Sequence, residues 1–201
     1  MSDFFASILN IDEQSLLFIN GLNTPILDII MWQISAKFIW LPLYLFFIDI
    51  IFRNLGWKKG VICLIMIGML ILSMDQLCAS FLRPLIGRIR PSSPLNPISA
   101  ILHFVNDSRG GTFGFPSSHA ANTFALAAFI SLMFRKKRIT FSLTIWASII
   151  SLSRIYLGFH YPTDVIAGAL IGIGLAYIFY KAYIAVIRAV PIFSISEKMR
   201  I

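Results

Sequence analysis

Hydrophobic residues along this chain are gathered into long runs, separated by short polar clusters. A helical run of about 20 apolar residues is long enough to cross the hydrocarbon core of a bilayer. Five runs approach this length and predict five membrane-spanning helices, at about residues 36–52, 61–82, 117–134, 139–157 and 164–187. The pattern therefore predicts an all-α fold, a polytopic membrane helical bundle that forms a single domain over residues 1–201.

Two segments depart from this pattern. Over residues 1–35 apolar and polar positions alternate, which predicts an N-terminal interfacial region of one or two helices, with a possible sixth span at residues 25–35. Residues 83–117 form a long polar loop rich in Pro, Gly, Ser and Asn. A connector of this length usually carries function, and whether it acts as a lid is open.

Composition supports a membrane protein. Hydrophobic residues make up 58% of the chain and charged residues only 13%, against about 25% charged in soluble domains. The net charge of +8 would suggest nucleic acid as the partner of a soluble protein, but here the basic residues flank apolar runs. They favour anionic lipid head groups instead, so no nucleic-acid partner is expected. Cys63 and Cys78 lie within apolar runs and are predicted to be buried packing residues.

The basic residues also predict an orientation, because cytoplasmic loops are enriched in Lys and Arg. With five spans, ten basic residues share one face of the membrane and five share the other. The first face is therefore expected in the cytoplasm of a cell with the protein in its cytoplasmic membrane, and the loop at 83–117 is expected outside. The ten are Arg53, Lys58, Lys59, Arg135, Lys136, Lys137, Arg138, Arg188, Lys198 and Arg200, and the five are Arg83, Arg88, Arg90, Arg109 and Arg154.

The strongest chemical signal is the stretch from Ser153 to Asp164. It places Arg154, His160 and Asp164 at the edge of apolar runs, where charged groups are costly and usually functional. His160 and Asp164 are four residues apart, so one helical turn would place them on the same side. A carboxylate on one ring nitrogen leaves the other as an acceptor or nucleophile. The alternative is a purely structural His–Asp pair near the interface.

Two further segments reach the same predicted face. Arg83 and Arg90 offer planar guanidinium groups that match phosphate, although a solvated basic loop is an equally good interpretation of that segment alone. Pro116, Ser117 and Ser118 before an apolar run predict a helix start, whose free N–H groups favour an anion. Taken alone, an ordinary cap with His119 as a bystander is the better interpretation of the second segment.

Together the three segments predict a phosphate site. His160, oriented by Asp164, would attack phosphorus, and His119 would protonate the leaving oxygen. Water would then hydrolyse the phosphohistidine. Arg83, Arg90 and Arg154 would stabilise charge on the equatorial oxygens.

These residues resemble the signature of the type 2 phosphatidic acid phosphatase superfamily, which includes lipid phosphate phosphatases, undecaprenyl pyrophosphate phosphatases and vanadium haloperoxidases. The family pattern is a lysine, six residues and Arg-Pro, then Pro-Ser-Gly-His, then Ser-Arg, five residues, His, three residues and Asp. The third part is complete here. In the first part Arg83 replaces the family lysine, and in the second Ser118 replaces the family glycine.

The resemblance implies a role for each matching position. The catalytic residues are His160 as nucleophile, Asp164 as its partner and His119 as general acid, and no metal or other cofactor is implied. The residues expected to bind phosphate are Arg83, Arg90, Ser117, Ser118 and Arg154.

Weaker candidates lie outside the signature. Asp75 is expected either to brace the arginines or to be solvated, and His103 to be a surface or lid residue. Arg88 and Arg109 are expected near the lipid head group.

The expected function is a metal-independent membrane phosphatase acting on a lipid phosphomonoester or pyrophosphate at the outer face of the cytoplasmic membrane. Undecaprenyl pyrophosphate is the leading substrate, with lipid A, phosphatidylglycerol phosphate and phosphatidic acid as alternatives. A non-enzymatic phospholipid transporter or flippase is the rival from another class, but it leaves the two histidines unexplained. A haloperoxidase would share the site, although five spans favour a lipid substrate. The oligomeric state is open.

Overall fold

The computed structural model describes residues 2–189, with side chains described from Ser7 onward. It is 81% helical and has no strands within this range, which confirms the predicted all-α membrane fold. The α-helices are α1 (Ser2–Gly21), α2 (Pro25–Ser35), α3 (Leu41–Asp75), α4 (Arg83–Ile86), α5 (Ser118–Phe134), α6 (Lys137–Tyr156) and α7 (Pro162–Ala189). Short 3-10 helices cover Lys37–Trp40, Pro97–Ala100 and Val105–Asp107, and a π-helical segment, Gln76–Leu82, joins α3 to α4.

Helix α3 covers both of the first two predicted spans. The basic loop expected between them is helical instead, apart from a kink at Gly56, whose φ of 73° lies in the left-handed region. Arg53 helps to continue the helix because it pairs with Asp49 one turn earlier, at 2.7 Å. The two arms of α3 on either side of the kink pack together, since Ile51 and Cys63 share one core cluster.

The predicted number of five spans is not confirmed. By length and composition, three described stretches can cross a membrane: Lys37–Ile86, Lys137–Tyr156 and Pro162–Ala189. The N-terminal pair Ser7–Gly21 and Pro25–Ser35 is bent by 116°, as in a broken span or a re-entrant segment. Helix α5 is apolar but has only 17 residues. These helices support a multi-pass membrane protein without fixing the number of crossings.

Helices α5 and α7 form the centre of the bundle, and small residues let them approach closely. A Cβ atom on Gly168 would lie 2.5 Å from the Ser117 carbonyl oxygen, and one on Gly172 would lie 2.2 Å from that of Ala121. Such contacts are sterically impossible, so α7 can sit against α5 only because both positions are glycine. This packing fixes the start of α5 beside the start of α7.

The loop at 83–117 is ordered and crosses one end of the bundle. It is pinned by backbone hydrogen bonds from Arg90 to Thr112, at 2.8 Å, and from Gly114 to Arg88, at 2.9 Å. Asn20 of α1 also holds the loop in place. Its amide nitrogen donates to the His103 carbonyl and its amide oxygen accepts the His103 N–H, each at 2.9 Å. The N-terminal helices therefore hold this loop in place over the ends of α5 and α7.

Candidate active site

A tight turn at the end of α6 delivers His160. The Phe159 N–H donates to the Arg154 carbonyl and the Gly158 N–H to that of Ile155, the two hydrogen bonds of a Schellman motif. Gly158 takes the left-handed conformation that this motif needs, with φ of 73°. The chain then reverses, and His160 is left buried with 1% of its surface exposed.

Asp164 lies in the first turn of α7, which begins at Pro162. Its Oδ2 accepts the Tyr161 N–H at 3.0 Å, which satisfies a free donor at the start of the helix. The same oxygen lies 3.5 Å from Nδ1 of His160. The local sequence therefore places the carboxylate near one ring nitrogen, which forms no hydrogen bond among the described residues, and leaves Nε2 on the other side of the ring. The roles of nucleophile and partner stay predictions.

The start of α5 forms the second side of the site. Ser117 is the N-cap, and its Oγ accepts the Ala120 N–H at 3.5 Å. Arg83 donates to the Pro116 carbonyl and, at 2.7 Å, to Oγ of Ser118. Ser118, which replaces the family glycine, thus contacts Arg83, which replaces the family lysine.

Arg90 is held from behind by the loop. Its Nε donates to the Phe113 carbonyl at 3.1 Å, and the side chain is buried. A Cβ on Gly110 would lie 2.1 Å from a terminal nitrogen of Arg90, and one on Gly114 would lie 3.2 Å from the Asp164 carboxylate. These two glycines therefore allow the backbone of the loop to approach the Arg90 and Asp164 side chains closely.

Arg154 is shared between α6 and the N-terminal region. It donates to Oγ of Ser35 at the end of α2, and its guanidinium lies 4.2 Å from the centre of the Phe159 ring. Its Nε is buried without a hydrogen-bond partner among the described residues. An unpaired buried donor of this kind is costly unless a ligand accepts its hydrogen.

A cavity of about 570 Å³ connects these groups. One end is polar and contains six of the eight predicted site residues: Arg83, Arg90, Ser118, His119, Arg154 and His160. The remainder is largely apolar and runs between α3, α5 and α6, along Phe47, Ile48, Ile51, Leu64, Ile67, Ile71, Leu126 and Ile130. The shape suits a molecule with an anionic head and a long apolar tail.

The other two predicted residues lie behind the cavity wall. Ser117 is fully buried; its N–H donates to the Asp164 carbonyl, and its hydroxyl caps α5. Asp164 is also fully buried behind His160. For Asp164 this is the position that an orienting group requires, whereas phosphate contact by Ser117 stays a prediction.

Burial and positive charge set the electrostatics of the cavity. Burial, together with Arg90, Arg154 and Arg83, lowers the pKa of His160 well below its usual value of 6.5. The ring is therefore neutral at physiological pH, which a nucleophile requires. Burial, together with the charge of Arg83, also lowers the pKa of Arg90 to about 10, so Arg90 still carries its charge at pH 7.

Sequence reasoning missed the role of the N-terminal helix. Asp12 of α1 is buried and accepts a hydrogen bond from Arg88 at 2.5 Å, and Arg88 in turn donates to Asp164 at 2.7 Å. Asp12 also accepts from the backbone N–H of Thr163 at 2.9 Å and from its hydroxyl. No signal in the sequence links these residues, since 76 positions separate Asp12 from Arg88.

The weaker candidates fall into two groups. Arg88 does not face the head group as expected, because its guanidinium is committed to Asp12 and Asp164. His103 contacts Asp28 at 2.8 Å and Arg109 stacks on Phe104, both outside the residues that line the cavity. Asp75 does line the cavity, as does Lys37, at the start of the first predicted span.

Two other expectations concern cysteine and metal. Cys63 and Cys78 are both fully buried and unpaired, which confirms that they are packing residues. Within the described part of the chain, no group of three or more His, Cys, Asp or Glu side chains is arranged to hold a metal ion. The absence of metal chemistry itself stays a prediction.

Comparison with known proteins identifies the family and the fold. The family model described as the PAP2 superfamily matches residues 59–188. The chain is 46% identical over 171 residues to a protein of Bacteroides thetaiotaomicron named lipid A 4'-phosphatase, a match that covers 85% of this chain and 76% of that protein. It is 35% identical over 179 residues to the Porphyromonas gingivalis protein of the same name, covering 88% and 75%.

A solved structure gives the same result for the fold. The crystal structure of Aquifex aeolicus LpxE superposes with a TM-score of 0.59 at 27% identity, and the match covers 84% of this chain and 93% of that one. The family model begins at residue 59, so Asp12, Ser35 and Lys37 lie outside the region that it matches.

Proposed function

Because the chain belongs to the PAP2 superfamily and is a membrane lipid phosphatase of that type, we propose that its substrate is lipid A. The observation that carries this proposal is the 46% identity, over 85% of the chain, to a protein named lipid A 4'-phosphatase. Undecaprenyl pyrophosphate, the leading substrate on sequence grounds, is less well supported, since both long matches are to lipid A phosphatases. The bond cleaved is a phosphomonoester on a sugar of the lipid.

We assign the steps to the residues that line the cavity. Nε2 of His160 attacks phosphorus while the phosphoryl oxygens lie among Arg83, Arg90 and Arg154. The P–O bond to the sugar breaks as His119 donates a proton to the leaving oxygen, giving the lipid alcohol and a phosphohistidine. Water, deprotonated by His119, then attacks phosphorus, releases inorganic phosphate and regenerates neutral His160.

Asp164 and the remaining polar groups prepare the site before substrate binds. The Asp164 carboxylate beside Nδ1 favours the tautomer with its proton on that nitrogen, so the lone pair of Nε2 is free. Ser118 adds a hydroxyl that Arg83 already orients. The unpaired Nε of Arg154 supports a direct contact with a phosphoryl oxygen.

The proposed location is the cytoplasmic membrane, with five crossings and the active site at the outer face. The kink at Gly56 supports two crossings in the 50-residue stretch Lys37–Ile86, which as one straight helix would be about 75 Å long. The unequal distribution of basic residues between the two faces supports an active site that faces away from the cytoplasm.

The test is phosphate release by the purified full-length chain in detergent, with excess chelator present. Lipid A with both phosphates, undecaprenyl pyrophosphate, phosphatidylglycerol phosphate and phosphatidic acid are compared, with His160→Ala as the blank. We expect kcat/KM for lipid A to exceed the others at least about tenfold, and mass spectrometry to show loss of the 4' phosphate. A higher kcat/KM for undecaprenyl pyrophosphate would overturn the lipid A assignment.

A further inference from the structure

One polar pair interrupts the apolar part of the cavity. Nδ2 of Asn122, on α5, donates to Oδ1 of Asp75, at the end of α3, at 2.8 Å. Both residues line the cavity that contains His119 and Arg83. Asn122 lies three residues after His119, so it shares a face of α5 with the general acid and lies about 4.5 Å further along the axis.

The pair has more acceptors than its own bond uses. Oδ1 of Asn122 is buried and has no hydrogen-bond partner among the described residues. Oδ2 of Asp75 likewise has no partner there, because the only bond to this carboxyl group is the one from Asn122. A buried acceptor without a donor is costly, so this part of the cavity wall favours a ligand that donates a hydrogen bond.

The orientation of the amide is fixed by its neighbour. If the Asn122 amide were turned over, its oxygen would face the Asp75 carboxyl oxygen at hydrogen-bond distance, which is repulsive. The amide nitrogen therefore points to Asp75, and the oxygen is left for another group. The pair therefore offers oxygen acceptors to the cavity, and a matching ligand must supply an O–H or N–H donor.

We propose that Asp75 and Asn122 form a hydrogen-bond acceptor site for a hydroxyl group on an acyl chain of the lipid, one helical turn from the bound phosphate. This rests on the proposed function to the extent that a lipid occupies the cavity. A glucosamine-based lipid has amide N–H groups and hydroxylated acyl chains close to its phosphate. A polyprenyl pyrophosphate and phosphatidic acid have neither, so the pair selects among the candidate substrates.

The experiment uses two synthetic N-acylglucosamine 4-phosphates that differ only in a β-hydroxyl on the acyl chain, with phosphatidic acid as a lipid without donors. The purified full-length protein in detergent should show about 10–100-fold higher kcat/KM for the hydroxylated compound, the range expected for one hydrogen bond to a charged or buried acceptor. In Asn122→Leu this preference should fall to about twofold or less, while kcat/KM for phosphatidic acid stays within about threefold of wild type.

Two further variants separate recognition from folding. Asp75→Asn keeps an amide pair between α3 and α5 but replaces one acceptor with a donor, so the preference should fall while the thermal midpoint holds. Thr123→Val is the matched control: Thr123 also lines the cavity, but its hydroxyl is already bonded to the His119 carbonyl at 2.8 Å. This control should keep the wild-type preference.

Each outcome bears on the proposal. Two results would show that the pair only connects α3 to α5. One is an equal loss of kcat/KM on all substrates in Asn122→Leu and Asp75→Asn. The other is an unchanged preference for the hydroxylated compound in these variants. The two compounds are also scored as inhibitors of p-nitrophenyl phosphate hydrolysis, which measures the site even if neither is cleaved. Equal inhibition by the two would refute the site, whereas failure of wild type on lipid A with unequal inhibition would refute only the proposed substrate.

Discussion

His160 is the residue on which the proposed chemistry depends, and its surroundings keep it neutral and oriented. Asp164 lies on one side of the ring, three arginines lie in the same cavity, and the burial of the ring is nearly complete. Nδ1 of a neutral imidazole can donate to this carboxylate, 3.5 Å away, if the two groups move slightly closer, and Nε2 is then the available nitrogen. Substitutions here should therefore separate loss of the nucleophile from loss of its orientation.

We expect His160→Ala to abolish phosphate release and Asp164→Asn to leave a trace, about 10⁴-fold below wild type, because a carboxamide sets the wrong tautomer. Single-turnover assays with ³²P-labelled substrate report the rate, and label on the protein that is stable in base but labile in acid reports the phosphohistidine. The control is Ser108→Ala in the outer loop. Full activity of His160→Ala would show that another group attacks phosphorus.

The lowered pKa of His160 also predicts how stability depends on pH. Above pH 6.5 the ring is neutral in the folded and unfolded states. Below that value the ring binds a proton in the unfolded state but stays neutral in the folded state. His160 should therefore destabilise the fold as the pH falls, by up to about 1.4 kcal/mol per pH unit.

The measurement is the thermal midpoint in detergent between pH 7.5 and 5, for wild type and His160→Gln. Glutamine does not titrate, so the variant should lose less stability than wild type over the same interval. Parallel curves would mean that His160 is protonated in the folded protein.

At the scale of elements, α1 reaches the active site through one buried carboxylate. Asp12 holds Arg88 and the start of α7, and Arg88 holds Asp164. The three groups form a continuous chain from the N-terminal region to the nucleophile's partner. We interpret Asp12 as a positioning residue, since it contacts neither the cavity nor His160 in the described structure.

We expect Asp12→Asn to lower kcat about tenfold with little change in KM. The neutral amide would no longer share the charge of Arg88, so Arg88 would interact more strongly with the Asp164 carboxylate. Asp164 would then interact less with the His160 ring. Glu13→Gln is the matched control, as Glu13 is the exposed neighbour of Asp12. The kcat and KM of both variants, and the pH profile of kcat, are compared with wild type. A rise in KM alone, or an equal effect of Glu13→Gln, would contradict a positioning role.

The contact between α5 and α7 is a second feature at this scale. Gly172→Ala should destabilise the protein by about 1–3 kcal/mol, because its new methyl group would meet the backbone of Ala121. Gly174→Ala, on the same helix, is the control, since no atom lies within 4 Å of its added Cβ. Thermal unfolding in detergent compares the two. Equal midpoints would show that α7 can move away from α5 without cost.

At the scale of the whole molecule, the charged ends of the bundle predict its orientation. Four consecutive basic residues lie where α5 meets α6, two in the loop and two in the first turn of α6, whereas the loop at 83–117 lies at the end of the bundle that holds the active site. With the basic residues in the cytoplasm, a reagent outside the cell reaches only the second loop.

Cysteine labelling in intact cells tests this orientation. Leu95→Cys should react with a membrane-impermeant maleimide, and Lys137→Cys should react only after the membrane is opened; both positions are exposed in the structure. The native Cys63 and Cys78 are buried and should contribute little signal. Labelling of Lys137→Cys in intact cells would reverse the proposed orientation.

The sequence by itself determined the all-α membrane fold, and it singled out the residues that we propose for the phosphate site and the helix starts beside them. These features depend on neighbouring positions: apolar runs, the cap at Ser117, the Gly158 turn and the four-residue spacing of His160 and Asp164. The substrate was not determined in this way, because the cavity is lined by side chains from several helices.

Only the tertiary structure decided which groups meet across the bundle. It places Asp12 on Arg88, pairs Asp75 with Asn122, brings Lys37 into the cavity and keeps Ser117 behind the cavity wall. Each of these depends on how α1, α3, α5 and α7 pack, which the glycines of α7 permit but no local pattern specifies. Contacts between distant segments arise from that packing, and hydrophobic periodicity reports only which face of a helix is buried.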